Sequence, residues 1–406
     1  MLALGFVIVQ GTLPFQLVAP IFWTQENAGD DVQVLLVGLM ATIRGVAMVV
    51  FGIYGGSLAD RFNRRTVLLY AQTGGFVVAA ATVVVVMVGD GGPVAMTLLF
   101  ALVFCSSALW AVDVPTRQAM VPDIVGIDSA SRGLALATSG AWMLAPVTVL
   151  SVGFLIDRIG FSGAFGLVAV LQAAALLTLL PMRYRPTVQR DTKPARRRTA
   201  LRDLREGIAY TWSQPALRWV VGLSALMTGI AMPAISGLGP TWVTTVVGAS
   251  FTEFGFIAAF WGLGGLVAAL LLTRFASPAR SGAIVAIGAA FFATGFMVFG
   301  SGQTPLFAIV GNVAVGSGLV ATQIAGVGLI AQIAPNEMRG RVTSLLLVDR
   351  ALAQFLALPA AAIGQLVGLT VLFPILGVLC LSVVAFLLLT QRRFWLNRGT
   401  AESAAR

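Results

Sequence analysis

Three charged side chains lie inside long apolar stretches of the sequence, where a charge is costly and usually serves a function. Arg44 stands sixteen residues before Asp60, so a helix would separate the two residues by about 24 Å along its axis. Asp349 and Arg350 follow Arg341 by eight and nine residues, which places them about 12 Å along a helix from Arg341, at the start of the same apolar stretch. Arg44 can bind an anionic group or pair with a carboxylate. Asp349 can exchange a proton, since burial disfavours a charged carboxyl.

A second interpretation of each residue stays open. Arg44 can be a structural arginine that donates to backbone carbonyls. Asp349 can be a gate residue that pairs with Arg341 or with the loop after the second apolar stretch, and we favour this role over proton coupling. A direct bridge from Arg44 to Asp349 is disfavoured, because their depths differ by about 12 Å.

Six uncharged polar or aromatic side chains in apolar stretches are weaker candidates for a polar pathway. For any one of them, a hydrogen bond or a packing contact between helices is the more common role. They are Gln10, Gln16, Trp142, Asn312, Gln323 and Gln354.

The sequence lacks the residue types that several kinds of chemistry require. The sequence has no histidine, which removes histidine general bases and histidine metal ligands. Its one lysine, Lys193, precedes Pro194, so no Gly-rich phosphate-binding loop ending in Lys-Ser or Lys-Thr exists. Cys105 and Cys380 both lie in apolar stretches and indicate no disulfide framework. We therefore predict no enzymatic activity, no metal site and no cofactor.

The elements that position these residues are apolar stretches long enough to cross a bilayer. Of 406 residues, 58% are apolar and only 10% are charged, too few charges for the surface of a soluble chain of this length. In lipid every backbone group must be paired within the segment, which favours helices. We predict an all-α membrane protein with twelve transmembrane helices at roughly 1–22, 34–58, 66–88, 94–113, 131–155, 161–181, 217–240, 251–273, 282–300, 305–332, 342–365 and 369–390.

The basic residues predict the orientation. Twenty-two of the 26 lysines and arginines lie in alternate loops and the C-terminal tail, whereas Arg158 is alone in the opposite set of loops. This bias predicts that both termini are cytoplasmic. It also explains the net charge of +10 without nucleic acid as a partner. The near absence of lysine favours a GC-rich bacterial genome, so we expect a bacterial inner membrane.

The chain repeats itself at an offset of 213 residues. Pro20 matches Pro233, Pro146 matches Pro359, and an Arg-Phe pair at Arg61 matches another at Arg274. Such repeats are typical of transporters. We predict a six-helix bundle at 1–182, a basic linker with an amphipathic helix at 183–216, a second bundle at 217–391 and a cytoplasmic tail at 392–406. Four apolar residues at helical spacing mark the linker helix: Leu201, Leu204, Ile208 and Trp212.

The segment Gly55-Gly56-Ser57-Leu58-Ala59-Asp60-Arg61-Phe62-Asn63-Arg64-Arg65 resembles the signature loop between the second and third helices of the major facilitator superfamily. Three further segments resemble the branch with bacterial drug and macrolide exporters and the enterobactin exporter: Pro115-Thr116-Arg117-Gln118, Leu204-Arg205-Glu206-Gly207 and Pro335-Asn336-Glu337-Met338-Arg339-Gly340-Arg341-Val342. The resemblance implies two pseudo-symmetric six-helix bundles.

The resemblance also implies a cytoplasmic gate. Asp60 would accept from the N-terminus of the eleventh span, near Gly340, and Arg61 or Arg64 would pair with Asp113. We favour this gate over an ordinary solvated basic loop, because the motif is complete. Its predicted members are Gly56, Asp60, Arg61, Arg64, Arg65, Asp113, Arg339 and Arg341.

Two departures from the family pattern bear on antiport. The Pro146 segment lacks the glycines that follow the proline in many antiporters, and the core of the fourth span lacks their arginine. The expected function is still proton-coupled efflux of a small amphipathic molecule, such as a drug, siderophore or secondary metabolite, by alternating access. The alternatives are lysophospholipid flipping, metabolite uptake, or a sensor or scaffold that does not transport. The expected partners are a small molecule, the lipid bilayer and a proton, with the chain as a monomer.

Overall fold

The first half of the chain begins with four long helices. A computed structural model describes residues 2–126, 130–182, 200–275, 277 and 280–391, and all regular structure in these ranges is helical. The four helices are α1 (Leu2–Asn27), α2 (Gln33–Arg61), α3 (Arg64–Val88) and α4 (Pro93–Val125).

The next helical stretch, Ala130–Leu179, is two helices that meet at Gly160. Gly160 has φ 70° and ψ 177°, a backbone conformation that side chains with a Cβ rarely adopt. Its apolar part, Pro146–Leu179, has 34 residues and would extend for about 51 Å, against a hydrocarbon core of about 30 Å. We label the two helices α5 (130–159) and α6 (161–179).

Seven helices follow in the second half. The short helix α7 (Ala200–Ser213) precedes α8 (Pro215–Met232), which continues through π-helical turns at Pro233–Leu238 and Trp242–Val246. The others are α9 (Phe251–Phe275), α10 (Ser281–Ser301), α11 (Pro305–Ile333), α12 (Asn336–Val367) and α13 (Leu369–Thr390).

The prediction of twelve membrane-spanning helices is confirmed over the described residues. Ten helical segments are long and apolar enough to cross a membrane, and Leu352–Val367 of α12 is a shorter apolar segment. One of the ten is the stretch divided at Gly160, so these ranges contain twelve apolar helices.

The chain divides into two compact units. The first comprises Met1–Lys193 and Ala249–Ala259, so it includes the first turns of α9, and the second comprises Pro194–Gly248 and Phe260–Arg406. The predicted domain boundaries differ from this division at α9. The linker at 183–199 and the tail at 392–406 lie outside the described residues.

Aromatic contacts join the first turns of α9 to the rest of the first unit. Phe22 of α1 stacks on Phe251 at 4.4 Å between ring centroids and meets the edge of Phe254 at 5.0 Å. Asp157 of α5 caps α9, because its Oδ2 accepts from the backbone N–H of Thr252 at 2.8 Å and from the Thr252 hydroxyl. These contacts cover the donors that the start of a helix leaves unpaired.

The second unit is packed by aromatic rings and by closely approaching helices. Trp242 of α8 stacks on Phe373 of α13 at 4.5 Å. Helices α10 and α11 approach so closely at Gly318 that an added Cβ would lie 2.4 Å from the Gly288 carbonyl oxygen and from Phe292 N. Such approach between small residues is how helices pack in lipid.

The predicted amphipathic helix forms as α7. Gly207 and Thr211 are buried in the second unit, whereas Ile208 and Trp212 are exposed on a different face, with Trp212 at 67%. An exposed tryptophan on such a helix suits the membrane surface. The side chains of Leu201 and Leu204 lie outside the described part of the molecule.

Candidate functional site

The signature loop joins α2 to α3 with almost no intervening residues. Asn63 caps α3, since its side-chain oxygen accepts from the Arg65 N–H at 3.0 Å. Gly56, Asp60 and Arg61 lie in the last turns of α2, but their side chains are outside the described part of the chain. The proposed contact of Asp60 with the eleventh span therefore stays a prediction.

The predicted pairing of Asp113 with Arg61 or Arg64 is wrong for Arg64, and the side chain of Arg61 lies outside the described residues. Arg64 Nη1 lies 2.7 Å from Asp123 Oδ2 and also donates to the Ala119 carbonyl, both near the end of α4. Arg65 Nη2 donates to the Leu180 carbonyl at 2.9 Å. The reason for the error is that α4 continues twelve residues beyond the predicted span end at 113, which carries a second carboxylate to the start of α3.

Asp113 instead belongs to a buried cluster inside the first unit. Its Oδ1 accepts from Gln72 Nε2 of α3 at 2.8 Å, and its Oδ2 accepts from Arg117 Nε at 2.6 Å. Asp113 is 2% exposed and Arg117 is 1% exposed. A buried ion pair is stabilising only when further hydrogen bonds satisfy its remaining atoms. Here Nη1 and Nη2 of Arg117 have no hydrogen-bond partner.

In the second unit, the predicted gate arginines bind near the start of α12. Arg341 Nη1 lies 2.6 Å from Glu206 Oε2 of α7, and Arg339 Nε donates to the Ala334 carbonyl at 3.0 Å. The first contact ties the amphipathic helix to α12. The alternative partner of Arg341, Asp349, cannot be compared, because the side chains of Asp349 and Arg350 lie outside the described residues.

Arg44 takes the structural role that the sequence left open. It is 3% exposed, and its Nη2 donates to the carbonyls of Gln16 at 3.0 Å and Leu17 at 2.8 Å. The Gln16 carbonyl has no helical donor, because the residue four positions later is Pro20. Arg44 supplies the missing donor, and in this conformation its guanidinium is bonded to helix backbone. A role in binding substrate remains a proposal.

The weaker candidates are scattered through both units. Gln16 donates to the Thr12 hydroxyl at 3.2 Å, and Gln10 has a buried, unpartnered Oε1. Asn312 is buried, and Gln323 and Gln354 lie in α11 and α12. The side chain of Trp142 lies outside the part that the structure describes.

A small cavity adjoins the Asp113 cluster between α1, α3, α4 and α6. Its volume is about 40 Å³, which suffices for two or three water molecules. Its polar lining includes Gln16, Gln72, Trp110, Asp113 and Gln172, and the rest is mainly apolar. The cavity is too small for a drug-sized ligand, which needs several hundred Å³. Within the described residues, no three side chains cluster as a metal site.

Sequence reasoning missed Gln72, Arg117, Asp123 and Gln172. One local signal was available for Arg117, because it follows Asp113 by four residues and so shares its helix face. The glutamines carried no such signal, since helical spacing does not show which side of a span meets another helix.

The family model described as Major Facilitator Superfamily matches residues 2–358 of the chain. The chain belongs to this superfamily. It is accordingly a membrane transporter and not an enzyme, and the family expected from its signature loop is confirmed.

Curated relatives of this superfamily member include exporters. The chain is 26% identical over 257 residues to the enterobactin exporter EntS of Shigella boydii serotype 4 (strain Sb227), a match over 62% of the chain and 58% of the relative. It is 25% identical over 256 residues to EntS of Escherichia coli O139:H28 (strain E24377A / ETEC), over 61% and 57%. The chain thus spans under two thirds of these relatives' length.

Solved structures share the superfamily fold. The peptide transporter POT in complex with sulfate has a TM-score of 0.73 at 19% identity, covering 98% of this chain and 95% of that one. The nucleoside transporter NupG has a TM-score of 0.69 at 15% identity, covering 96% and 98%. At these identities the likeness concerns the fold alone.

Proposed function

We propose that this transporter exports a small amphipathic molecule across a bacterial inner membrane, with both termini cytoplasmic and a proton gradient as the driving force. The direction of transport is inferred from the match to relatives named as enterobactin exporters. Proton drive is consistent with a buried carboxylate, Asp113, in a unit whose other buried charges are few.

The proposed mechanism is alternating access between two six-helix units. In this mechanism each unit moves as a rigid body. The substrate shifts the population toward the state that binds it more tightly. Two ion pairs support this rigidity. Arg64–Asp123 joins α3 to α4 within the first unit, and Arg341–Glu206 joins α7 to α12 within the second.

The proposed substrate is largely apolar with few charges. The described spans bury Arg44, Asp113, Arg117 and Asp123 as their only charged side chains, and each of these already has a polar partner in the protein. A highly charged substrate would need several free, oppositely charged groups to replace its water. Enterobactin, named in the relatives, is the first molecule to test.

The test is an accumulation assay in an efflux-deficient bacterium that expresses this chain. Enterobactin, ethidium and a macrolide are the probes, each measured with and without a protonophore. We expect lower accumulation of at least one probe, and we expect the protonophore to abolish the difference. The matched control is Asp60→Asn, which should insert in the membrane but cut transport, because it removes the predicted gate carboxylate.

Three outcomes would contradict the proposal. Higher accumulation of a probe on expression would mean uptake instead of export. Unchanged accumulation of every probe, with the protein present in the membrane, would favour the sensor or scaffold. Export that persists with the protonophore would remove the proton as the driving force.

A further inference from the structure

The cavity beside Asp113 is lined by polar atoms that have no partner in the protein. Gln72 Oε1, Gln172 Oε1 and Trp110 Nε1 are all buried and without a hydrogen bond. Gln72 is 3% exposed and Gln172 is 6% exposed. Buried polar groups are almost always satisfied, and leaving one unpaired costs about 1–3 kcal/mol. Three such atoms around one cavity therefore indicate a bound polar species.

The chemistry of the three atoms fits water. The indole N–H can only donate, whereas the two amide oxygens can only accept. A water can accept from the Trp110 indole or donate to the amide oxygen of Gln72 or Gln172, and the volume of about 40 Å³ holds two or three waters. The orientation of the Gln72 amide is set independently, because its Nε2 donates to Asp113 Oδ1.

Among the described residues that line this cavity, Asp113 is the one ionisable side chain. The lining residues from α1, α3 and α6 include no titratable group, and from α4 the charged neighbour of Asp113 is Arg117. Within the described lining, a proton that the cavity water exchanges with a side chain therefore passes to or from this carboxylate.

The ion pair is built so that it can open. Arg117 contacts Asp113 through Nε, with Nη1 and Nη2 left unpartnered, instead of through the two parallel bonds of a fork. Separating the pair thus breaks one charge-assisted bond. Gly5 of α1 lets the guanidinium lie close to that helix, since an added Cβ would stand 2.9 Å from Arg117 Nη1.

We infer that this cavity is a hydrated proton-binding site, in which Asp113 takes a proton from the cavity water as its bond to Arg117 breaks. A hydronium gives its proton to Oδ2 and leaves as water, while Arg117 stays protonated, so the pair changes from zero net charge to +1. Gln72 keeps its bond to Oδ1 in both states and holds the carboxyl in position. The inference rests on the proposed proton coupling and names its carboxylate.

The first test needs no substrate. Trp110 lies one helical turn from Asp113, so its fluorescence should change when the carboxyl loses its charge. Tryptophan emission of the purified protein is titrated with pH in the wild type, in Trp110→Phe and in Asp113→Asn. We expect a titration step in the wild type that is missing from both variants.

Two further variants separate this effect from misfolding. Asp123→Asn is the matched control, because its carboxylate lies on the same helix but outside the cavity, and its titration step should match the wild type. Gln172→Leu keeps Asp113 but removes a water ligand, and should shift the midpoint of the step. The inference is overturned if the titration step persists in Asp113→Asn. It is also overturned if the wild type shows no step in the emission of Trp110.

The second test uses proteoliposomes and distinguishes this inference from the proposed function. The probe is ethidium or enterobactin, whichever the cell assay selects, and the measured quantities are accumulation driven by a pH gradient and exchange without one. Asp113→Asn should lose the first and keep the second, and Asp90→Asn, an exposed loop carboxylate, should keep both. If wild-type flux ignores the gradient, the proposed proton coupling fails. If the wild type responds and Asp113→Asn responds equally, the inference about Asp113 fails.

Discussion

The two compact units differ in the kind of polar side chain that they bury. Over the described residues, the first unit buries four charged side chains, Arg44, Asp113, Arg117 and Asp123. The buried polar side chains of the second unit are uncharged in the same description, namely Thr211, Ser224, Thr228, Thr241, Ser281, Asn312 and Thr322. Two halves with a common repeat have thus come to bury different polar chemistry.

The equivalent prolines Pro20 and Pro233 show the difference at one position. Each removes the N–H that the carbonyl four residues earlier would accept in a helix. In α1, Arg44 donates to the carbonyl that Pro20 leaves unpaired. Around Arg44 the repeat has an offset of 217 residues, because Gly38 and Gly45 match Gly255 and Gly262, so Trp261 stands in place of Arg44. Helix α8 continues from Pro233 as a π-helical turn. The first half repairs its helix with a buried charge, whereas the second changes its backbone.

The two units should therefore be destabilised by different kinds of substitution. The first unit depends on side chains whose charge and donors must be matched, so it should be sensitive to isosteric changes that remove one polar group. The second unit buries no charged side chain in the same description, so its stability should depend mainly on packing, and close contacts such as that at Gly318 should make it sensitive to added volume. Thermal unfolding of the purified protein in detergent can separate the two.

The largest effect is expected for Gly318→Val in the second unit. Its Cβ would meet backbone atoms of α10, which cannot move aside as a flexible side chain can. Overpacking of this kind costs about 3 kcal/mol or more, and should prevent α10 and α11 from pairing. The matched control is Gly222→Ala in α8, where an added Cβ meets nothing within 4 Å. Equal unfolding temperatures of the two variants would show that close packing is not what stabilises this unit.

An intermediate effect is expected for Arg44→Met in the first unit. It leaves the Gln16 carbonyl buried without a donor, which costs about 1–3 kcal/mol. In the background of Pro20→Ala the loss should be smaller, because an alanine N–H restores the helical hydrogen bond. Additive effects of the two substitutions would mean that Arg44 does not act through this carbonyl, and would return it to the proposed substrate pathway.

The smallest effects are expected for the two ion pairs that join helices within each unit. Arg64–Asp123 has side chains 14% and 9% exposed, whereas those of Arg341–Glu206 are 20% and 34% exposed. Solvent weakens the second pair, whose coupling energy should be about 0.2–1 kcal/mol, and we expect a larger value for the first. Double-mutant cycles on thermal stability measure both. A larger coupling for Arg341–Glu206 would reverse the assignment of ionic stabilisation to the first unit.

Several features of the fold could be predicted because their causes are local. A membrane-spanning helix needs about twenty apolar residues, and that requirement can be counted in the sequence. Helix ends were harder to predict. The fourth span was expected to end at 113, but α4 runs to Val125, because its polar last turns are still helical beyond the apolar part. The fifth and sixth spans were expected to be separate, and they meet at a single glycine with φ 70°.

The candidate site was predicted less well, because its contacts join distant parts of the chain. The expected partner of Arg64 was Asp113, and the structure pairs it with Asp123, ten residues or about 15 Å further along the same helix. The cavity was not foreseen at all, since its glutamines, Gln16, Gln72 and Gln172, come from three helices that are far apart in the sequence.

Local patterns in the sequence are enough to predict twelve apolar helices and membership of a transporter family. The bilayer imposes length and apolarity on each span separately, and a motif is a local pattern. The pairing of carboxylates with arginines and the position of the cavity follow only from the tertiary structure. Those outcomes depend on how far one helix is shifted along its neighbour, and a shift of a single turn, about 5.4 Å, exchanges one partner for another.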